Sequence, residues 1–129
     1  MPGKAMGTFR VDVEIINTRQ PARKVTVPQL LVDSGSEFTW VPEVALKQAR
    51  IQVVKKDVPF VMANGQTITR SMGYAIVRAK GFETIDEVVF GQPGDLSLLG
   101  SRALEGFGAL VDAQKKKLVA AGPYPAASS

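Results

Sequence analysis

Apolar and polar positions alternate along much of this chain. Phe9, Val11, Val13 and Ile15 interleave with Arg10, Asp12 and Glu14, the period-2 pattern that turns one face of a strand to a core and the other to solvent. Asn17-Thr18-Arg19-Gln20-Pro21 is a run of turn formers. A second strand is predicted from 24 to 32, passing from polar alternation into the apolar Leu30-Leu31-Val32 as it runs inward. Glu37-Phe38-Thr39-Trp40-Val41 resumes β-rich composition. Pro42 then suits the first turn of a short helix over 43–49, where its fixed φ and missing N–H are tolerated.

Val58-Pro59-Phe60-Val61-Met62-Ala63 and Thr67-Ile68-Thr69-Arg70 flank Asn64-Gly65, the dipeptide that best supplies the positive φ angles of a tight turn, so a projecting hairpin is predicted. Its second strand continues through Tyr74-Ala75-Ile76-Val77, turns at Lys80-Gly81 and returns over 82–90. A loop over 91–95 leads into the apolar Leu96-Ser97-Leu98-Leu99, and a short helix over 101–105 is expected to stop at Gly106, a natural left-handed C-terminal residue. Residues 109–112 and 117–120 predict a closing hairpin. The whole reads as an all-β fold with one or two short helices: a single domain over 1–121 and a flexible C-terminal tail over 122–129.

Composition narrows the chemistry. At 129 residues the chain can bury one core, and its 12 Gly and 8 Pro favour many turns between short strands. Cysteine and histidine are absent. That removes disulfides, the usual zinc-ligand sets and Ser-His or Cys-His nucleophile pairs, leaving carboxylates, lysines and hydroxyls as the reactive groups. No metal or cofactor is expected. Met1-Pro2-Gly3-Lys4 is not followed by an apolar segment, and no run approaches the roughly 18 apolar residues of a spanning helix. A cytoplasmic location without membrane contact is therefore expected.

The net charge of +4 permits weak attraction to anions. However, Lys115-Lys116-Lys117 reads as a solvated hairpin turn, and no interleaved aromatic platform accompanies it. A nucleic-acid partner is not expected; the barrel that would bind one is distinguished by steep salt dependence. Trp40 and Tyr74 are read as packing residues, and Glu83, Asp86 and Glu87 as a solvated face.

Three segments stand out. In the first, an apolar strand delivers Asp33-Ser34-Gly35-Ser36 onto a turn, with another apolar run following. Alone it is an ordinary turn, since Asp, Ser and Gly are the commonest turn formers, but turns between exposed strands seldom carry hydrophobic runs on both sides. In the second, Leu98-Leu99-Gly100 enters a helix through Ser101 and Arg102. It is either a buried strand ending or the floor of a site, where a residue without Cβ lets another backbone pass. The third is the hairpin tip around Met62, Ala63, Asn64, Gly65 and Gln66, either an ordinary surface hairpin or a flap over a substrate.

In order and spacing these segments resemble the retropepsin-like aspartic proteases, in particular the small single-domain members of cellular genomes, over about Phe9 to Val119. That family carries Asp-Ser/Thr-Gly-Ala/Ser, a glycine-bearing flap, then two apolar residues and glycine before a short helix. The resemblance implies a closed acid-protease barrel that is active as a two-fold homodimer, because one chain holds one signature and the chemistry needs two aspartates. It implies an aspartic endopeptidase whose Asp33-Asp33 dyad activates water on a peptide or protein substrate.

Within that resemblance Ser34 holds the geometry across the axis, and Gly35 lets the backbone approach the dyad. Ser36 replaces a frequent alanine, Leu98, Leu99 and Gly100 support the floor, and Met62, Ala63, Asn64, Gly65 and Gln66 form the flap. Glu37 stands where viral members often have aspartate, and Arg102 is its candidate ion-pair partner, displaced by one residue relative to Gly100. The extended C-terminal hairpin departs from the interlocked termini of viral relatives. The alternative is an inactive dimer of the same fold that binds peptide or mediates assembly.

Overall fold

The alternation at the start of the chain becomes strand β1 (Arg10–Ile16), with Val11, Val13 and Ile15 buried and Arg10 and Asp12 outward. The structure is a computed structural model and describes residues 8–126. The N-terminal segment 1–7, read above as lacking a leader, and the last three residues of the expected tail lie outside the described residues. Strands β2 (Lys24–Val32), β3 (Thr39–Pro42), β4 (Lys55–Val61), β5 (Thr67–Ala79), β6 (Phe82–Gly91) and β7 (Leu98–Leu99) join β1 in one sheet. Strands β8 (Ala109–Asp112) and β9 (Lys117–Ala120) form a separate pair, and the helices are α1 (Glu43–Gln48) and α2 (Ser101–Phe107). The fold is thus mostly β, with two short helices among the described residues.

The sheet runs β1-β2-β7-β3-β6-β5-β4. Because β1 also pairs antiparallel with β5, Ile15 opposite Val77, the pairings β1-β2-β7-β3-β6-β5 return to their start. Ile16 is also buried although it sits out of phase with the alternation, and the end of β1 is paired on both edges. The two-residue β7 is wedged between β2, which it pairs parallel, and β3, which it meets antiparallel at Trp40.

Two apolar clusters result. The larger is built from Val13, Ile15, Leu30, Val41, Leu46, Phe90, Leu99 and Phe107, among others. Burial of such side chains is worth about 1.5–3 kcal/mol each before entropy is set against it, so this cluster fixes where β2 and β7 end. The smaller holds Trp40, Met72, Val89 and Leu98, with Phe38, Val58, Phe60 and Ile68 packed against it. It ties the base of the β4–β5 hairpin to β3 and β7.

Four local expectations are corrected. Helix α2 does not stop at Gly106 but continues to Phe107, and the left-handed residue after it is Gly108, at φ 68° and ψ 35°. Gly106 is needed for a different reason: a Cβ there would collide with the Thr84 side chain, so its absence lets α2 lie against β6. Pro42 is the N-cap of α1 at ψ 133°, one residue before the first turn. At the hairpin tip only Gly65 of the Asn64-Gly65 pair takes a positive φ, 85°. Tyr74 is exposed rather than packed, because it falls on the outward phase of β5. Beyond β9, residues 121–126 carry no regular structure, and the Tyr124 hydroxyl donates to the Glu105 carbonyl at 3.4 Å.

Candidate active site

The floor of the site is where β2 and β7 end side by side. Leu31 lies opposite Leu98 and Val32 opposite Leu99 in parallel register. One residue on, the Asp33 N–H donates to the Leu99 carbonyl at 2.9 Å. The chain then reverses around the carboxylate, with the Gly35 N–H donating to Asp33 Oδ1 at 3.0 Å and the Ser36 N–H to the Asp33 carbonyl at 3.2 Å. A Cβ at Gly35 would stand 3.2 Å from that same Oδ1. Ser34 is exposed at the apex.

Two carbonyls of this loop meet the N-terminus of α2. Ser36 and Glu37 accept from the N–H groups of Ser101 at 2.7 Å and Arg102 at 3.1 Å, satisfying two of the donors a helix start leaves without intrahelical partners. Gly100 precedes them in extended conformation, φ −93° and ψ 178°, so conformational freedom is not what it supplies. A Cβ there would collide with the carbonyl oxygens of Phe38 and Glu37. Its N–H donates to Thr39 Oγ1 at 3.0 Å, and Thr39 is completely buried.

The β4–β5 hairpin overhangs this floor. Its tip closes with the Gly65 N–H donating to the Met62 carbonyl and the Met62 N–H to the Gln66 carbonyl, each at 2.8 Å. Asn64 Oδ1 accepts from the Gln66 N–H at 2.9 Å, which explains Asn64 without a positive φ: its side chain mimics a turn carbonyl. Lower down, the Phe60 ring packs edge-on against Trp40, centroids 5.0 Å apart, and against Phe38 at 6.1 Å. Between hairpin and floor lies a groove of about 680 Å³ that has Asp33, Gly35 and Ser36 on one side and Val61, Met62 and Ala63 on the other. Val58, Phe60, Trp40 and Leu98 make its apolar lining.

Charge is arranged around the groove in three groups. Glu37 and Arg102 meet, Arg102 Nε at 2.9 Å and Nη2 at 2.7 Å from Glu37 Oε2, with the guanidinium 4.8 Å over the Phe38 ring. Arg70 of β5 grips Asp95, which borders the groove from the loop after β6. Hydrogen bonding by Arg70 holds the Asp95 carboxyl below its ordinary range, against the opposing effect of burial. Asp86 differs: its Oδ2 is buried with no hydrogen-bond partner among the described residues, and burial pushes its pKa up despite the Glu87 N–H and the nearby Arg102 charge. The carboxylates of β6 are therefore not one solvated face. Glu83 pairs with Arg78 at 2.8 Å on the exposed side, Glu87 is largely shielded and pairs with Lys55 at 2.7 Å, and Asp86 turns inward.

Of the residues singled out in the sequence, Asp33, Gly35, Ser36, Glu37, Met62, Ala63 and Leu98 border one groove. Leu99 and Gly100 lie buried beneath it, while Asn64, Gly65 and Gln66 shape the hairpin tip without bordering it. Sequence reasoning missed Thr39, Asp95 and Leu96. Leu96 opens the apolar run 96–99, yet it is exposed and faces the groove. Pro93-Gly94, a turn signal just before it, was the local clue. Among the described residues no group of three or more His, Cys, Asp or Glu side chains could hold a metal ion, and no helix is long and apolar enough to cross a membrane.

Fold and site together define a β-rich domain that presents a single aspartate at a strand-end turn beneath an overhanging hairpin. No protein-family model and no curated protein matches the sequence. Among solved structures, the chain is similar to the solution structure of the simian foamy virus (mac) protease. The identity is 23% over 74% of this chain and 91% of that one, with a TM-score of 0.49. It is also similar to the crystal structure of the prototype foamy virus protease–reverse transcriptase, at 20% identity over 75% of this chain and 11% of that one, with a TM-score of 0.45.

Proposed function

We propose that this chain is one half of an aspartic endopeptidase, a barrel-like protomer that pairs about a two-fold axis to bring two Asp33 carboxylates together. Two carboxylates about 3 Å apart do not both ionise readily, so they share a proton and titrate as a pair. The ionised member takes a proton from a bound water as it attacks the scissile carbonyl. The protonated member hydrogen-bonds that carbonyl, and the proton passes on to the departing amine. Ser34, exposed at the apex beside Asp33, reaches the partner's backbone across the axis. The peptide lies extended between floor and hairpin and adds main-chain hydrogen bonds as an extra strand does.

The observation that carries this reading is the setting of Asp33. Its backbone is fixed to Leu99 and its carboxylate is oriented by the Gly35 N–H, at the edge of a groove whose other wall is the β4–β5 hairpin. Cleavage profiling of a denatured protein mixture by mass spectrometry between about pH 3 and 7, comparing wild type with Asp33→Asn, tests it. Cleavage in wild type that falls by about 10²–10⁴-fold in the variant supports the aspartic mechanism. If wild type cuts nothing while sedimentation shows a folded dimer, the mechanism is wrong and the groove is a peptide-binding or assembly site.

A further inference from the structure

The loop between β6 and β7 is built around one carboxylate. Gln92-Pro93-Gly94-Asp95 closes as a β-turn, the Asp95 N–H donating to the Gln92 carbonyl at 2.9 Å with Gly94 at φ 95°. Proline followed by a positive-φ glycine is the type II arrangement. Asp95 Oδ2 also accepts from the Gln92 N–H at 2.7 Å. The same carboxylate is held from outside the loop: Arg70 Nε donates to Oδ2 at 2.7 Å and Nη2 to Oδ1 at 2.8 Å, while Nη1 donates to the Thr69 carbonyl at 2.8 Å. This fork-to-fork pairing fixes orientation as well as distance. The two side chains are 18% and 13% exposed, so solvent screens them far less than an open surface pair.

Asp95 borders the groove from the β6–β7 loop, and Arg70 reaches it from the hairpin without lining the groove itself. Arg70 lies opposite Val58 in the β4–β5 hairpin. Asp95 precedes Leu96, which is 65% exposed and faces the groove that Val61 and Met62 also line. We propose that the Arg70–Asp95 pair is a positioning clamp joining the hairpin to the β6–β7 loop, and that it holds Leu96 as the wall residue selecting an apolar side chain of a bound peptide. The proposal rests on reading the groove as a peptide cleft. Main-chain pairing gives an extended peptide affinity without preference, so preference falls to side chains that protrude into the groove. A leucine on an anchored turn offers its surface with less ordering left to be done on binding.

The test uses Arg70→Gln, Asp95→Asn, their double variant and Leu96→Ala, with Arg70→Lys as a second route should Arg70→Gln fail to fold. Lysine keeps the charge without the fork. Hydrogen exchange of the peptide-free protein is read first. Arg70→Gln is expected to speed exchange in residues 92–97 by about tenfold, and Asp95→Asn to speed it in the hairpin by a similar factor, as a reciprocal coupling requires. Effects confined to the mutated element overturn the clamp.

With a peptide library, Arg70→Gln and Leu96→Ala should each raise KM about tenfold for sequences with a large apolar residue, with a much smaller change in kcat. An unaltered preference in Leu96→Ala overturns its assignment. Should wild type cleave nothing, the endopeptidase reading fails separately. The clamp is then decided by exchange and Leu96 by calorimetric binding of an apolar peptide.

Discussion

The floor of the groove and the hairpin above it are held by different forces. The floor is backbone against backbone: Asp33 bonded to Leu99, the α2 N-terminus bonded to Ser36 and Glu37, and Gly100 pressed against the Phe38 carbonyl. The hairpin is held by side chains, the Phe60 ring on Trp40 and Phe38 and the Arg70 fork on Asp95, while its tip stands in solvent. Backbone contacts at van der Waals distance have little slack, and the Glu37 carbonyl cannot rotate aside without losing the Arg102 N–H. Side-chain contacts can yield through rotamers. The floor is thus built to fix one geometry, and the hairpin to move a short way.

Glycine to alanine at one position in each region tests that difference most severely. Gly100→Ala drives a methyl into the Phe38 and Glu37 carbonyls and is expected to cost about 3 kcal/mol, the upper part of the overpacking range. Gly65→Ala meets open space and suffers only from its positive φ of 85°, so about 1–2 kcal/mol is expected. Urea midpoints at unchanged slope give both values. Equal costs would mean that the floor relaxes as readily as the tip.

The same division governs what could be read in the sequence. Strands β1 and β2 follow from period-2 alternation, and β5 with β6 from residues flanking the turn at Lys80-Gly81, because those signals are local. Asp33, Gly35 and Gly100 were legible only through context, the apolar runs beside them and the order and spacing of three segments, because Asp, Ser and Gly alone are ordinary turn formers. Thr39 was not: its role depends on Gly100, 61 positions away. Nor was the Arg70–Asp95 pair, which spans 25 residues and two elements. Gly106 misled for the converse reason. A helix-ending glycine and one admitting a neighbouring strand look alike until Thr84 is seen beside it.

Two carboxylates sharpen the comparison through pH. Asp95 has a depressed pKa, so its contribution is present above the unfolded value near 3.9 and is lost as pH falls through the lower folded value. Asp86, on β6 near Arg102 at the α2 N-terminus, has a raised pKa. The folded state therefore holds its proton more tightly than the unfolded chain, and ionising it costs stability as pH rises through the folded value. Asp86→Asn removes a buried charge whose Oδ2 has no partner among the described residues. It is expected to stabilise the protein at pH 7 and to lose that advantage by about pH 3, where wild type is protonated as well. Asp95→Asn should destabilise at pH 7. Urea midpoints at the two pH values decide both, and a destabilised Asp86→Asn at pH 7 would mean that Arg102 compensates the charge fully.

The smallest effect expected is at the floor's own ion pair. Arg102 and Glu37 are 47% and 58% exposed, and pairs so open contribute little to stability. If backbone contacts fix the floor, the pair decorates that geometry rather than creating it. Glu37→Arg should then shift the urea midpoint only slightly, and less still in high salt. Arg102→Glu should cost more, because it also removes the cation over Phe38 and sets a carboxylate near Asp86 and Glu87, which the guanidinium now attracts. Exchanging the two residues restores opposite charges across the pair but leaves the introduced carboxylate beside Asp86. Rescue by the double exchange should consequently be partial, and adding Asp86→Asn should improve it while the losses over Phe38 and beside Glu87 remain. Full rescue by the exchange alone would show that Arg102 acts on Glu37 only, and a loss in Glu37→Arg as large as that in Gly65→Ala would place the floor's rigidity in its side chains after all.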